Sequence, residues 1–265
     1  MTSGNTPCKV CGAASEAFAD ARILNRHDIT YFACPKCEFI QTEEPHWLAE
    51  SYAEAINRTD IGYVSRNIAL ANSSFSLVAG LFDPDGRFVD YGGGYGLFVR
   101  MMRDKGLNWY WDDKHCQNLF AQGFEAEKSG ADTFDLLTCF EVMEHTVEPI
   151  EEVEKMLKLA PVIVFSTCPI PKPRIKPSEW WYYGLDHGQH VSLFSRKSLE
   201  AIASRLGLSL WSNGNDLHIL SRRELSAWRV SVFMNRRVSR LTNYVFRRPS
   251  LLGAEFEYLK SLENH

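Results

Sequence analysis

The chain has no apolar run near the roughly 20 residues that a membrane-spanning helix needs. Its longest candidate, Pro161–Ile170, reads as a core strand. There is no internal repeat and no low-complexity segment, which excludes solenoids and disordered arrays. The first residues are polar, so no secretory leader is expected. Cysteine is present but odd in number, at seven. Four of the seven stand in metal-type spacing, which points to a reducing, cytoplasmic setting rather than a disulfide framework. Lysine is missing from Arg222 to Arg248, where eight arginines accompany one acid, Glu224. That stretch carries +7 in a chain whose net charge is −4, so the remainder is strongly acidic. What is present is otherwise ordinary for a globular protein: 265 residues, 45% hydrophobic and 23% charged. This is enough for one large domain and a small one.

Cys8-Lys9-Val10-Cys11 and Cys34-Pro35-Lys36-Cys37 are two C-x-x-C turns with 22 residues between them. Each turn presents two thiolates, and four thiolates form a closed tetrahedral set for structural Zn²⁺. Gly12 relieves the first turn, and Ile29–Phe32 reads as a strand entering the second. A segment of this size buries little core, so metal would supply much of its folding energy. Such a closed site leaves no open position for catalysis.

Residues 88–96 read Phe-Val-Asp-Tyr-Gly-Gly-Gly-Tyr-Gly. A buried strand ends in a glycine turn, and Leu97–Arg100 begins a helical pattern. Glycine permits a tight turn and close ligand approach. A dinucleotide fingerprint needs its third glycine where Leu97 stands. Asp90 is a poor neighbour for pyrophosphate and suits a cationic ligand instead. Asp90-x-Gly92-x-Gly94-x-Gly96 resembles the first motif of class I S-adenosylmethionine-dependent methyltransferases. The resemblance implies that Asp90, Tyr91, Gly92, Gly93, Gly94 and Gly96 border that cofactor. About 20 residues past the loop an acid commonly receives ribose hydroxyls. Asp113 is preferred there, with Asp112 as its rival.

Strand and helix patterns alternate through the middle of the chain, as in a doubly wound parallel sheet. Strands are expected near 87–90, 108–112, 134–140 and 162–166, and helices near 96–105, 115–121, 149–159 and 196–206. Asn213-Gly214-Asn215 joins two apolar runs as a terminal hairpin. The expected fold is α/β: a Rossmann-like, seven-stranded sheet ending in an antiparallel hairpin, with a small N-terminal zinc ribbon. The expected segments are a ribbon at 1–42, a helical connector at 43–82, a methyltransferase domain at 83–221 and an arginine-rich helical tail at 222–265. In the connector, Trp47, Leu48, Tyr52 and Ile56 fall on one stripe.

The fourth strand runs into Phe140-Glu141-Val142-Met143-Glu144-His145. This resembles the Glu-x-x-Glu-His segment of small-molecule methyltransferases, including the ubiquinone-pathway group. The resemblance places Phe140 and Glu141 beside the cofactor, and Glu144 and His145 beside the substrate. His145 reads equally as a base and as a structural histidine. Further on, four aromatics at 180–183 precede His187 and His190. The stretch His190-Val191-Ser192-Leu193-Phe194-Ser195 resembles the His-x-x-x-Phe-Ser element of bacterial sugar C-methyltransferases, which also carry a four-cysteine zinc domain. Carried across, the general base falls on His190. The family's tyrosine and glutamate positions hold His187 and Gln189, so the likeness is partial.

The expected function is therefore S-adenosylmethionine-dependent methyl transfer to a small-molecule acceptor, with a nucleotide-linked or cell-surface sugar implied by the family. An RNA methyltransferase and a non-catalytic cofactor-binding scaffold are the alternatives. The span from Cys8 to Cys37 has no basic–aromatic stripe, which argues against nucleic acid. In the tail, Leu225, Trp228 and Val232 fall on one side of a helical pattern with arginines on others, which suits packing in a homodimer, with a membrane surface or a nucleotide-sugar pyrophosphate as the alternatives.

Overall fold

The computed structural model describes residues 6–52 and 60–263; Ile56 and the first five residues of the ribbon segment lie outside them. In chain order the ribbon contributes β1 (Thr6–Pro7), β2 (Ala14–Ile23), β3 (His27–Ala33) and β4 (Ile40–Thr42). Then come α1 (Leu48–Ser51), α2 (Tyr63–Leu81), β5 (Arg87–Tyr91), α3 (Leu97–Asp104), β6 (Asn108–Asp112) and β7 (Leu136–Cys139). Next are α4 (Pro149–Leu159), β8 (Val162–Ser166), β9 (Ser192–Leu193), α5 (Arg196–Leu206), β10 (Ser209–Ser212) and β11 (Leu217–Ser221). The tail forms α6 (Ala227–Phe233), α7 (Arg236–Val245) and α8 (Leu252–Glu263). Among the described residues no helix is long and apolar enough to cross a membrane.

The chain divides into two compact units. One comprises residues 1–57, 140–157 and 165–222; the other comprises 58–139, 158–164 and 223–265. These units cut across the segments expected from sequence. β8 runs through both.

In the first unit, β1-β2-β3-β4-β9 form a five-stranded sheet. All of its pairings are antiparallel. Its last strand comes from far along the chain: Leu193 pairs with Ile40, and Ser192 with Gln41. The ribbon's core is likewise shared. Ile23, Tyr31, Ile40 and Trp47 are buried with Tyr182, Tyr183, Val191 and Leu193. The Tyr31 and Tyr183 rings meet edge to face at 5.0 Å. β10 and β11 pair antiparallel in the same unit, joined by a turn in which Asn213 Oδ1 accepts from the amides of Asn215, Asp216 and Leu217. α5 starts at a capping box of Ser195 and Ser198 and stops at left-handed Gly207.

In the second unit β5 lies between β6 and β7, parallel to both. Every residue of β7 is buried, as expected for central strands of a parallel sheet. Phe88, Phe98 and Trp109 stack in the core beneath them. The tail docks on α2. Phe233 lies so close to Gly80 that a Cβ there would sit 2.2 Å from its ring. Glu255 is buried against Arg103 and Arg100, at 2.6 and 2.7 Å.

Two expectations are corrected. The mixed sheet has six strands among the described residues, in the order β10-β11-β8-β7-β5-β6, not seven. Where a further strand would flank β6 there is one parallel bridge, Trp111 to Glu125; Gly123, at φ +88°, breaks the extended run beside it. The helix expected near 115–121 is missing. The Asp113 carboxylate accepts from the amides of His115 and Cys116, and Asn118 Oδ1 from that of Ala121. Those side chains take the amides a helix would use. In the tail, Trp228 and Val232 face solvent while Val230 and Met234 are buried. The apolar face expected from the sequence at Trp228 and Val232 is therefore at the surface of the chain.

Candidate active site

In the second unit, β5 delivers Asp90 and Tyr91 to the glycine turn. Gly92, Gly94 and Gly96 have φ of +68°, +54° and +83°, a region where side chains are strained. Gly93 is needed for space: a Cβ would come 2.8 Å from Trp111 and 3.1 Å from the Asp90 carboxylate. The turn is tied to the end of β6. The amides of Gly92 and Gly93 donate to the Asp112 carbonyl (2.8 and 3.2 Å), Gly94 N donates to Asp113 Oδ2 (2.8 Å), and Trp111 Nε1 donates to the Gly94 carbonyl (2.8 Å). Asp90, the glycines, Asp112 and Asp113 are thus brought together. Asp113 has both carboxylate oxygens occupied by backbone amides. Asp112 accepts through its backbone, and no hydrogen bond of its side chain appears among the described residues.

Asp90 is buried and accepts a hydrogen bond from Thr138 Oγ1 at 2.6 Å. Burial pushes its carboxyl up to about 8; the Thr138 bond opposes this, while Asp113 and Asp112 reinforce it. The sign is fixed by linkage. The folded chain keeps this proton where the unfolded chain has lost it, so its contribution to stability is full below about pH 4 and is lost as pH rises through about 8. Urea midpoints of the cofactor-free protein should fall over that window. Asp90→Asn, which keeps the acceptor for Thr138, should flatten the fall; an unchanged pH profile would remove the assignment.

In the first unit, Phe140 and Glu141 follow β7. Glu141 sits at φ +55°, unusual for a side-chain-bearing residue. Ser166 secures it: its Oγ accepts from Glu141 N (2.8 Å) and donates to Glu141 Oε1 (2.6 Å). Glu144 is fully buried, and Tyr182 Oη donates to its Oε1 at 2.7 Å. The Tyr182 hydroxyl also accepts from Cys168 N at 3.0 Å. Burial beside Glu144 and Glu141 holds the phenol well above its ordinary range.

The histidines converge here. The His190 ring lies 5.1 Å from that of His145, 4.9 Å from His187 and 4.8 Å from Tyr182. His190 Nδ1 is 2.5 Å from the Tyr182 carbonyl. A carbonyl only accepts, so Nδ1 carries the proton and Nε2 is left with its lone pair. Burial, aided by His187, lowers His190 to about 4, so the ring is neutral near pH 7. Burial lowers His145 well below its usual value too. Trp47 Nε1 donates to the Gly188 carbonyl (2.8 Å) and Gln189 Nε2 to the Ser51 carbonyl (2.7 Å), which fixes the segment between the histidines.

Sulfur atoms of Cys8, Cys11, Cys34 and Cys37 all lie within 4.8 Å of one another. The Cys8–Cys37 and Cys11–Cys34 separations are 3.5 Å. Thiolates bound tetrahedrally to Zn²⁺ stand about 3.8 Å apart, so the cluster fits a metal ion. Both turns use the same backbone device, left-handed Gly12 after one pair and left-handed Glu38 after the other. Sequence reasoning saw Gly12 and missed Glu38, because glutamate gives no turn signal. It also missed Thr138 and the Tyr182–Glu144 pair; a polar residue within an otherwise apolar strand was the available clue to Thr138.

A family model described as a methyltransferase domain matches residues 63–213. The chain belongs to that family. It is an S-adenosylmethionine-dependent methyltransferase. The match begins at Tyr63, the first residue of α2. No curated protein matches the methyltransferase. Among solved structures it is similar to the Burkholderia thailandensis 1,6-didemethyltoxoflavin-N1-methyltransferase, at 15% identity and TM-score 0.46, over 79% of this chain and 100% of that one. It is also similar to magnesium protoporphyrin IX methyltransferase from Synechocystis PCC 6803, at 13% identity and TM-score 0.39, over 66% of this chain and 94% of that one.

Proposed function

We propose that this methyltransferase modifies a small-molecule acceptor, a nucleotide-linked or cell-surface sugar, with His190 as the general base. The observation that carries the base is the 2.5 Å bond from His190 Nδ1 to the Tyr182 carbonyl, which fixes the tautomer with Nε2 as proton acceptor. The sugar class rests on the His190–Ser195 element and the four-cysteine ribbon. S-adenosylmethionine, when bound, supplies an electrophilic methyl group, so the protein's contribution is position, desolvation and removal of the acceptor's proton. Asp90, which keeps its proton near pH 7 in the cofactor-free chain, gives it up when the cofactor's positive charge is bound beside it. Asp112 has the carboxylate left over for ribose hydroxyls, while Asp113 holds the glycine turn and positions it. Phe140 and Glu141 border the cofactor; burial and His187 keep His190 neutral, and His145 and His187 flank the acceptor. The four cysteines hold a structural zinc ion.

Calorimetry with S-adenosylhomocysteine tests the cofactor half. Asp112→Asn removes charge-assisted hydrogen bonds and should weaken binding roughly 10- to 100-fold. Equal affinity in that variant would return the ribose role to Asp113. A mass-spectrometric screen of nucleotide sugars with labelled cofactor tests the acceptor. Absence of labelled product from every sugar, with methylation of another small molecule, would overturn the sugar assignment and keep the enzyme.

A further inference from the structure

Helix α7 is inside out. Its buried residues are Ser239 and Thr242, and its contacts to α2 are polar. Ser239 Oγ and Asn243 Nδ2 donate to the Asn72 carbonyl at 2.9 and 2.8 Å, and Lys105 Nζ bridges Asn72 and Asn243. The opposite face carries Arg237, Arg240, Leu241, Tyr244 and Val245, which follow i, i+3, i+4, i+7, i+8 spacing and so form one stripe. Leu241, Tyr244 and Val245 are 62%, 70% and 61% exposed. Neither Arg237 nor Arg240 enters an ion pair among the described residues. On neighbouring α6, Trp228 is also exposed. A globular helix normally buries its apolar stripe, so an outward one marks a surface that something else covers.

We infer that this stripe of α7 docks on an anionic lipid surface. Charge selects the occupant. The surrounding tail from Arg222 to Arg248 carries eight arginines against one acid. A second copy packed by two-fold symmetry would bring that positive surface against itself. Nucleic acid would satisfy the charge and could stack on Tyr244, but it would leave the aliphatic Leu241 and Val245 uncovered. A lipid interface satisfies all three components: phosphates take the guanidinium groups, acyl chains take Leu241 and Val245, and the amphipathic Tyr244 suits the boundary between them.

Flotation of the full chain with vesicles is the test. It should bind vesicles containing phosphatidylglycerol and not those of phosphatidylcholine alone, and binding should weaken with salt. The double variant Arg237→Gln/Arg240→Gln should lose roughly 30-fold in partitioning, since each arginine near such a surface is worth about fivefold. Both side chains are exposed, so an unchanged urea midpoint serves as the folding control. Failure to bind anionic vesicles overturns the inference, as does equal binding by the double variant. A dimer in light scattering that Leu241→Glu dissociates, or a salt-sensitive shift of structured RNA, with no vesicle binding in either case, would assign the stripe to those partners instead.

Discussion

His190→Ala is expected to lower turnover by roughly 10²–10⁴ with affinity for S-adenosylhomocysteine nearly unchanged. The expectation follows from how little else the ring does. Among the described residues its one ring hydrogen bond is Nδ1 to the Tyr182 carbonyl, a bond that orients the imidazole and holds no cofactor-binding residue. Truncation therefore removes a proton acceptor and leaves the Asp90–glycine–Asp112 cradle intact. Burial has already stripped the ring of its second proton, at Nε2, above about pH 4. The wild-type rate should accordingly be flat over roughly pH 6 to 8, outside the steep range of a group with that pKa. His187→Ala should cost less, because His187 acts on the base, whose ring lies 4.9 Å away, and is not itself the proton acceptor. Single-turnover rates with saturating cofactor separate the two variants. Full activity in His190→Ala would remove the general-base assignment while leaving the family membership untouched.

Removal of the metal is expected to have the larger structural effect. One zinc per chain should be found by elemental analysis. Chelation, or Cys34→Ser, should unfold the β1–β4 ribbon, since binding to such sites supplies about 10–16 kcal/mol of apparent free energy in small zinc domains. The loss should not stay in the ribbon. β9 pairs with β4 immediately after His190, and Thr42 N donates to the Val191 carbonyl at 3.1 Å. Ser195 Oγ donates to the Cys37 carbonyl at 2.9 Å, so the far end of the histidine segment is tied to the second cysteine turn. Turnover should therefore fall with metal content, even though a closed four-thiolate site takes no part in the reaction. Hydrogen exchange of the Val191–Leu193 amides would report the coupling directly. Unchanged exchange and activity in metal-free protein would show that the ribbon is independent of the histidines.

The sequence by itself determined whatever is written locally. Two C-x-x-C turns, a glycine turn after an acid, and the 2.0- and 3.6-residue apolar periods each lie within a short window. β5, β6, β8, α4 and α5 consequently fall within a residue of where the pattern puts them. Where local chemistry competes, the pattern misleads. Asp113 and Asn118 bond backbone amides and no helix forms where one was expected. Only the tertiary structure decided the rest. It made Ser192–Leu193 the last strand of a sheet whose other four strands end at Thr42, 150 residues earlier. It buried Glu144 under Tyr182, set the tautomer of His190 with a backbone carbonyl, and turned the apolar stripe of α7 outward. Each of these depends on which distant backbone or side chain supplies the partner. A hydrogen bond between residues far apart in the chain leaves no period for a local pattern to carry.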